Sequence, residues 1–290
     1  MVKQAGHQQL GPDPTYDLAM DGSFTETESL SPRTNPSIPS EPSRPWSLAS
    51  FVQGYRRRLS SLFDRWPVDV PLGGRDAAAL DLMYLPLRLG SGPDPRKPEE
   101  GQILGVAELL QRERPLSVRG QAGAGKTTWV RWTFRQLLRS EQAVPLLIVL
   151  RDLVRQWQTP DSRGVRRSLD GFLRDQAAAQ MGRDVADAID LLLASQDGPR
   201  PVLLIDGWDE AGSLADELRD RLAQLRNQYP RLLVIVTTRP HVTSQPSELE
   251  KFEALDLQPL SDAAIAAFAR RFYEACRHER RPALALRQEG

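Results

Sequence analysis

The sequence predicts an α/β fold, a parallel β-sheet flanked by helices, with a disordered tail before it and the start of a helical domain after it. Three observations carry that prediction. Five strand-like runs recur at Pro115 to Arg119, Ala143 to Leu150, Pro201 to Ile205, Arg231 to Thr238 and Phe252 to Leu257, of which Pro201 to Ile205 is continuously apolar. Segments of helical periodicity separate them, as a parallel sheet requires. The first run passes through a glycine-rich turn straight into a helix, which puts ligands at the carboxyl ends of the strands.

Composition narrows what such a fold could do. At 290 residues and 40% apolar content, the chain holds one large domain or two small ones. Its 38 basic and 38 acidic side chains cancel, so no global field draws a phosphate backbone and no specific nucleic-acid partner is expected. A single cysteine, Cys276, forms no internal disulfide, and three scattered His supply too few ligands for zinc. The sequence shows no signal peptide and no apolar stretch of about 18 residues, so a cytoplasmic protein without a transmembrane segment is expected. Of the 38 basic residues only four are Lys and the other 34 are Arg. A Lys in so Arg-rich a chain marks a place where Arg would not serve.

The first element is the tail, residues 1–45, where seven Pro lie among Ser, Thr, Gly and acidic side chains. Such a stretch cannot bury enough apolar surface to offset an ordering entropy of about 1–2 kcal/mol per residue, and it is read as disordered. Residues 46–92 are expected to form a helical lead-in and a short strand. Leu48, Phe51, Val52, Tyr55, Leu59, Leu62, Phe63 and Trp66 recur at steps of three and four. They make one apolar helical face, which Pro67 should close. That face is expected to pack on the domain behind it, with Arg56, Arg57 and Arg58 toward water, in preference to a membrane surface. The run Leu82 to Leu89 ends at the loop signal Gly90-Ser-Gly-Pro-Asp-Pro. A helix from about Ile103 to Arg112 follows.

The central domain, residues 93–260, carries the chemistry. Gly120-Gln121-Ala122-Gly123-Ala124-Gly125-Lys126-Thr127-Thr128 follows a short buried strand and precedes a helix containing Trp129, Val130, Phe134 and Leu137. This is the G-x-x-x-x-G-K-[ST] phosphate-binding pattern in its required context. Glycines let the backbone curl so that successive N–H groups point at phosphate oxygens. The helix N-terminus adds its free N–H groups and positive dipole end. Lys126 brings a compact ammonium to the β- and γ-phosphates, which a planar guanidinium would not replace. The Thr127 hydroxyl is a candidate Mg²⁺ ligand.

Such a site also needs a carboxylate at the tip of another strand. Pro201-Val-Leu-Leu-Ile205 ends at Asp206, the expected metal-side carboxylate, and Asp209 and Glu210 follow at once. Three carboxylates so close are costly without a cation and reasonable beside Mg²⁺. Either Asp209 or Glu210 is the candidate for activating the attacking water. The run ending Thr237-Thr238-Arg239 puts two hydroxyls and an Arg at a further strand tip, where a polar group can read a γ-phosphate. Trp208 is read as packing and His241 as a loop residue.

These residues resemble a named family. Leu203-Leu-Ile-Asp206-Gly207-Trp208-Asp209-Glu210 is similar to the D-G-x-D-E form of the Walker B motif typical of NACHT domains. The Walker A loop from Gly120 to Thr127, the segment Pro145 to Arg151, the run Val236 to Pro240 and the segment Leu255 to Ser261 match in order and spacing. The resemblance covers roughly residues 80 to 275. It implies a STAND-class P-loop NTPase whose sheet has the order 5-1-4-3-2. It further implies ATP or ADP between that sheet and a following helical domain, with ADP at rest and slow hydrolysis that resets a switch. Self-association would occur in the ATP state of the complete protein. By position Arg239 resembles the family's sensor arginine, and Asp209 or Glu210 the hydrolytic acid. The segment Leu82 to Leu89 resembles a piece near the adenine side of the site. Family members commonly act in signal transduction and innate immunity, bacterial antiphage defence included.

After Leu260 a helix from Ser261 to about Glu279, capped by Ser261, is expected, and residues 261–290 are read as the start of a truncated helical domain. Pro282-Ala-Leu-Ala-Leu286 resembles, at shorter spacing, the proline segment that touches adenine in related switches. The rival function is a turnover ATPase of the AAA+ or helicase kind doing mechanical work. The D-G-x-D-E pattern, in place of an adjacent Asp-Glu pair, favours the switch. A guanine preference is disfavoured, since Asn35 and Asn227 are the only asparagines and no N-K-x-D motif exists.

Overall fold

Strands buried on both faces are mostly apolar, and the five runs pair into one sheet whose buried polar residues, among them Ser117, Asp206, Thr237, Thr238 and Asp256, are few. The computed structural model describes residues 47–63, 65–70, 74–79, 84–90, 101–158, 168–181, 186–240 and 252–285. All of them lie in the compact unit Pro45–Gly290. The tail at residues 1–45, His241 and Leu286 lie outside the described residues.

The lead-in helix α1 (Leu48–Phe63) is followed by an antiparallel hairpin of β1 (Arg65–Val70) and β2 (Gly74–Ala79). The helix therefore ends before Trp66, which pairs with Ala78 in the hairpin, as Pro67 pairs with Ala77. Proline disfavours helical backbone in the residue before it, so Trp66 leaves the helix although its spacing fits. Phe51, Val52, Tyr55 and Leu59 are buried as the periodicity predicts. Arg56 does not face water alone: its Nη2 donates to the carbonyls of Ser140 (2.6 Å) and Ala143 (2.9 Å). Arg57 and Arg58 are exposed.

The main sheet contains β3 (Leu89–Gly90), β4 (Leu116–Arg119), β5 (Ala143–Val149), β6 (Arg200–Asp206), β7 (Leu233–Thr238) and β8 (Glu253–Leu257). Its spatial order is β3-β8-β4-β7-β6-β5. Counting only the five expected strands, this is the order 5-1-4-3-2. The addition is β3, which pairs antiparallel with β8 through Leu89 and Leu257. At two residues it is too short to show a period, and it is secured from outside by paired backbone bonds between Leu89 and Gln102, both 2.9 Å.

Helices cover both faces. A short α2 (Val106–Leu110) precedes β4, and α3 (Lys126–Arg139) connects it to β5. The first of these is shorter than the expected helix because Gly105 stands at its N-cap, which leaves Ile103 outside and half exposed. Next come α4 (Leu150–Gln158), α5 (Leu169–Met181) and α6 (Ala186–Ala194), then β6 and α7 (Ala215–Gln228). The last helix, α8 (Asp262–Ala285), starts with the Ser261 hydroxyl accepting from the Ala264 N–H at 3.3 Å. It runs past Glu279 and includes Pro282. No helix of the described residues is long and apolar enough to cross a membrane.

Register brings the chemistry together. Arg119 is level with Thr238, Ile205 with Val236, and Val149 with Asp206. The carboxyl ends of β4, β7, β6 and β5 therefore form one rim, onto which the motif residues open.

Candidate functional site

The glycine-rich turn leaves β4 at Gly120, whose N–H donates to the Thr238 carbonyl at 3.1 Å. Gly123 and Gly125 have φ of +79° and +90°, the left-handed region in which glycine carries no steric cost. A Cβ on Gly125 would also come within 2.9 Å of the Leu87 side chain, so this turn is pressed against the segment ahead of β3. Gly125 is the N-cap of α3, and its carbonyl accepts from the Trp129 N–H at 2.8 Å.

Lys126 opens that helix and bends back over the turn. Its Nζ donates to the carbonyls of Gly120 (2.7 Å) and Gln121 (3.0 Å). Burial pushes the ammonium below the ordinary lysine range; Asp209 and Asp206 pull it back up, while Arg239 adds to the lowering. The ammonium thus bonds neutral oxygens, although its charge would be better matched by an anion. A phosphate group fits that demand.

On the facing wall Asp206 ends β6, buried, and its Oδ1 accepts from the Thr237 hydroxyl at 2.6 Å. The same hydroxyl oxygen accepts from the Gly207 N–H at 3.0 Å. Thr237 therefore fixes both the carboxylate and the turn behind it. Gly207, at φ +84°, leads into a single 3-10 turn, Trp208–Glu210, with Trp208 buried in the core as expected. That turn aims Asp209 at Arg239: the Arg239 Nε donates to Oδ2 at 2.7 Å. The other oxygen of Asp209, Oδ1, is buried without a hydrogen-bond partner. Glu210 is exposed, with its side chain folded over Gly207.

Lys126, Thr127, Asp206, Asp209, Glu210 and Arg239 all line one cavity of about 370 Å³. A second cavity of about 420 Å³ lies on the other side of the turn, against Gln121 and Ala124. It is closed by Leu257, Pro259, Leu260 and Ile265, and Gly120 borders it too. Ala122 and Gly123 reach both cavities, whereas Gly125 and Thr128 border neither. A charged cavity and a largely apolar one, the latter also bordered by Arg119, Asp256 and Gln258, meet at Ala122 and Gly123, which suits a ligand with a phosphate end and a flat apolar end.

Asp206, Asp209 and Glu210 share this cavity. Among the described residues no group of three or more His, Cys, Asp or Glu could hold a metal ion. Asp206 accepts from Thr237, and Asp209 from Arg239. Thr127 and Asp206 remain as two oxygens on one cavity. That fits Mg²⁺, which takes few protein ligands and completes its shell with water and phosphate.

Three further residues contribute. Arg131 and Arg151 line the charged cavity, and Leu87 props the glycine turn. Arg151 had a signal, since it directly follows an apolar run, and Leu87 lies in the segment Leu82 to Leu89 that the resemblance puts near the site, whereas Arg131 had none.

The NACHT domain profile matches residues 114–275, more than half of the chain. The chain belongs to the NACHT-domain family. Its NACHT domain is a nucleotide-binding P-loop NTPase domain, and the Walker A turn, the Asp206 strand and the Arg239 strand all fall inside the match. No curated protein sequence matches this chain. Among solved structures, Caenorhabditis elegans PCH-2 is similar at 14% identity and a TM-score of 0.36, covering 75% of this chain and 46% of that one. The cytoplasmic domain of EssC is similar at 13% identity and a TM-score of 0.33, covering 63% and 39%. ATPases 2 and 3 of EssC from Geobacillus thermodenitrificans match at 13% identity and 0.32, covering 71% and 41%. The NACHT chain thus spans less than half the length of each.

Proposed function

We propose that this chain is the nucleotide-controlled module of a NACHT switch, binding ATP or ADP with Mg²⁺ and hydrolysing ATP slowly. The observation that carries the reading is the ion pair between Arg239 and Asp209 inside the phosphate cavity. Here one candidate acid is engaged by the residue at the position of the γ-phosphate sensor, which suits a molecule that rests between rare events. In this reading the Walker A amides from Gly120 to Thr128 and the Lys126 ammonium hold the phosphates. Thr127 and Asp206 would hold Mg²⁺, which would neutralise phosphate charge. Glu210 or Asp209 orients the attacking water, and Arg239 senses the terminal phosphate. The apolar cavity beside Leu257, Pro259 and Ile265 takes the nucleoside.

Self-association in the ATP state, a cytoplasmic setting and a role in innate immunity, such as antiphage defence, extend the same reading from the family resemblance. The test measures turnover and assembly size of the protein with ADP and with ATP. Slow turnover together with a larger assembly in ATP is expected. Turnover above about 1 s⁻¹, in the usual enzyme range, with no change of assembly would instead favour a motor-type ATPase.

A further inference from the structure

The rim of the phosphate cavity holds a cation that the motif chemistry leaves unused. Arg151 stands two residues past Val149, the last residue of β5, which is level with Asp206. It is exposed, and it lines the same cavity as Lys126, Asp206 and Arg239. Its companions there are committed. Arg239 donates to Asp209, Lys126 bends back to two carbonyls, and Asp152 lies 3.9 Å from Arg155. Arg131 is also engaged. Arg151 alone among these cations has no hydrogen bond or ion pair to a described residue.

Strand order fixes where this guanidinium can act. β5, β6 and β7 are adjacent, and neighbouring strands lie about 4.8 Å apart, so the tips of β5 and β7 flank the tip of β6 at roughly 5 Å on either side. Asp206 is at that central tip, Arg239 just past the end on one side, and Arg151 just past the end on the other. In the nucleotide-binding reading the glycine turn and Lys126 hold the phosphate chain from one side, with Lys126 reaching the β- and γ-phosphates. A terminal phosphate directed toward the tip of β6 would lie between the two arginines, and of these only Arg151 has its donors uncommitted. A guanidinium offers five donors in a fixed fork that matches phosphate oxygens.

We infer that Arg151 binds the terminal phosphate of a nucleoside triphosphate and is the residue by which the site prefers triphosphate over diphosphate. The inference rests on the nucleotide-binding reading above, and it assigns to β5 a discrimination otherwise expected of Arg239. Because Arg151 is exposed and unpaired, removing it should leave the fold intact.

The test measures binding of ADP and of a non-hydrolysable ATP analogue, each with Mg²⁺, to the full chain and to its Arg151→Ala and Arg151→Lys variants. Arg151→Ala should weaken the analogue about tenfold or more, the loss of one charge-assisted contact, and change ADP binding less than about twofold. Arg151→Lys should recover part of the loss, since charge returns without the fork. Wild-type protein that binds both ligands, with Arg151→Ala weakening both equally or neither, overturns the role of Arg151 and leaves nucleotide binding standing. Wild-type protein that binds neither ligand overturns both.

Discussion

The Arg239 guanidinium donates through Nε to Asp209 Oδ2 at 2.7 Å, joining the tip of β7 to the turn after β6. The two partners see different surroundings, with Asp209 12% exposed and Arg239 55% exposed. Water screens the arginine end, so the pair contributes less than a buried one and its coupling is about 1 kcal/mol. A double-mutant cycle of Arg239→Ala and Asp209→Ala, read by denaturant unfolding without nucleotide, should return that coupling. Additive single effects would mean that the pair does not constrain the resting site.

Lys126→Ala should remove most nucleotide binding, because it deletes the ammonium that faces the glycine turn. A Kd unchanged within about threefold would sink the phosphate-cradle assignment. The wild-type pH dependence follows from the same residue. Its proton is held less tightly than the ordinary 10.5, chiefly through burial. A bound phosphate favours the charged form, so binding takes up a proton wherever Lys126 is already neutral. Affinity should therefore be flat near neutrality and fall with rising pH earlier than an ordinary lysine allows. Lys126→Ala should lose that alkaline fall.

Glu210→Gln should leave ATP binding within about threefold and slow hydrolysis by about 100-fold or more, the usual contribution of a general base. Glu210 is the first choice because Arg239 already holds Asp209. The buried, unpartnered Oδ1 keeps Asp209 in contention. If single-turnover hydrolysis persists in Glu210→Gln, in Asp209→Asn and in the double variant, the water is activated elsewhere.

Tyr55→Phe tests how α1 is fastened. The Tyr55 hydroxyl donates to the Pro145 carbonyl at 2.8 Å, and burial raises its pKa well above the ordinary tyrosine range. β5 is the edge strand, and here a side chain from α1 satisfies one of its free carbonyls. Removing the hydroxyl leaves that carbonyl buried and unpaired, a cost of about 1–2 kcal/mol. The melting temperature should fall by roughly 2–8 °C. No change would mean that the carbonyl finds another donor.

Sequence alone determined most of the sheet and the phosphate-binding turn. Both depend on local rules: apolar runs long enough to be buried strands, and a glycine and lysine spacing that only one backbone curl uses. It placed Lys126, Thr127 and Asp206 on one rim because strands alternating with helices make a parallel sheet whose carboxyl ends share an edge, while the strand order came from the family resemblance. Short or contact-made features were not legible. A short strand was expected in the lead-in, but not the antiparallel pairing of β3 with β8, and Trp66 fitted a helical stripe until the following proline put it in a hairpin. Arg56 reads as a solvated charge, yet two carbonyls of the chain near β5 capture it. What only the tertiary structure decided is which charges face each other. Asp209 meets Arg239, Asp206 meets Thr237, and Arg151 comes to the cavity from the far edge of the sheet. Those pairings depend on strand register and on a turn set by Gly207, and such long-range geometry leaves no periodic trace along the chain.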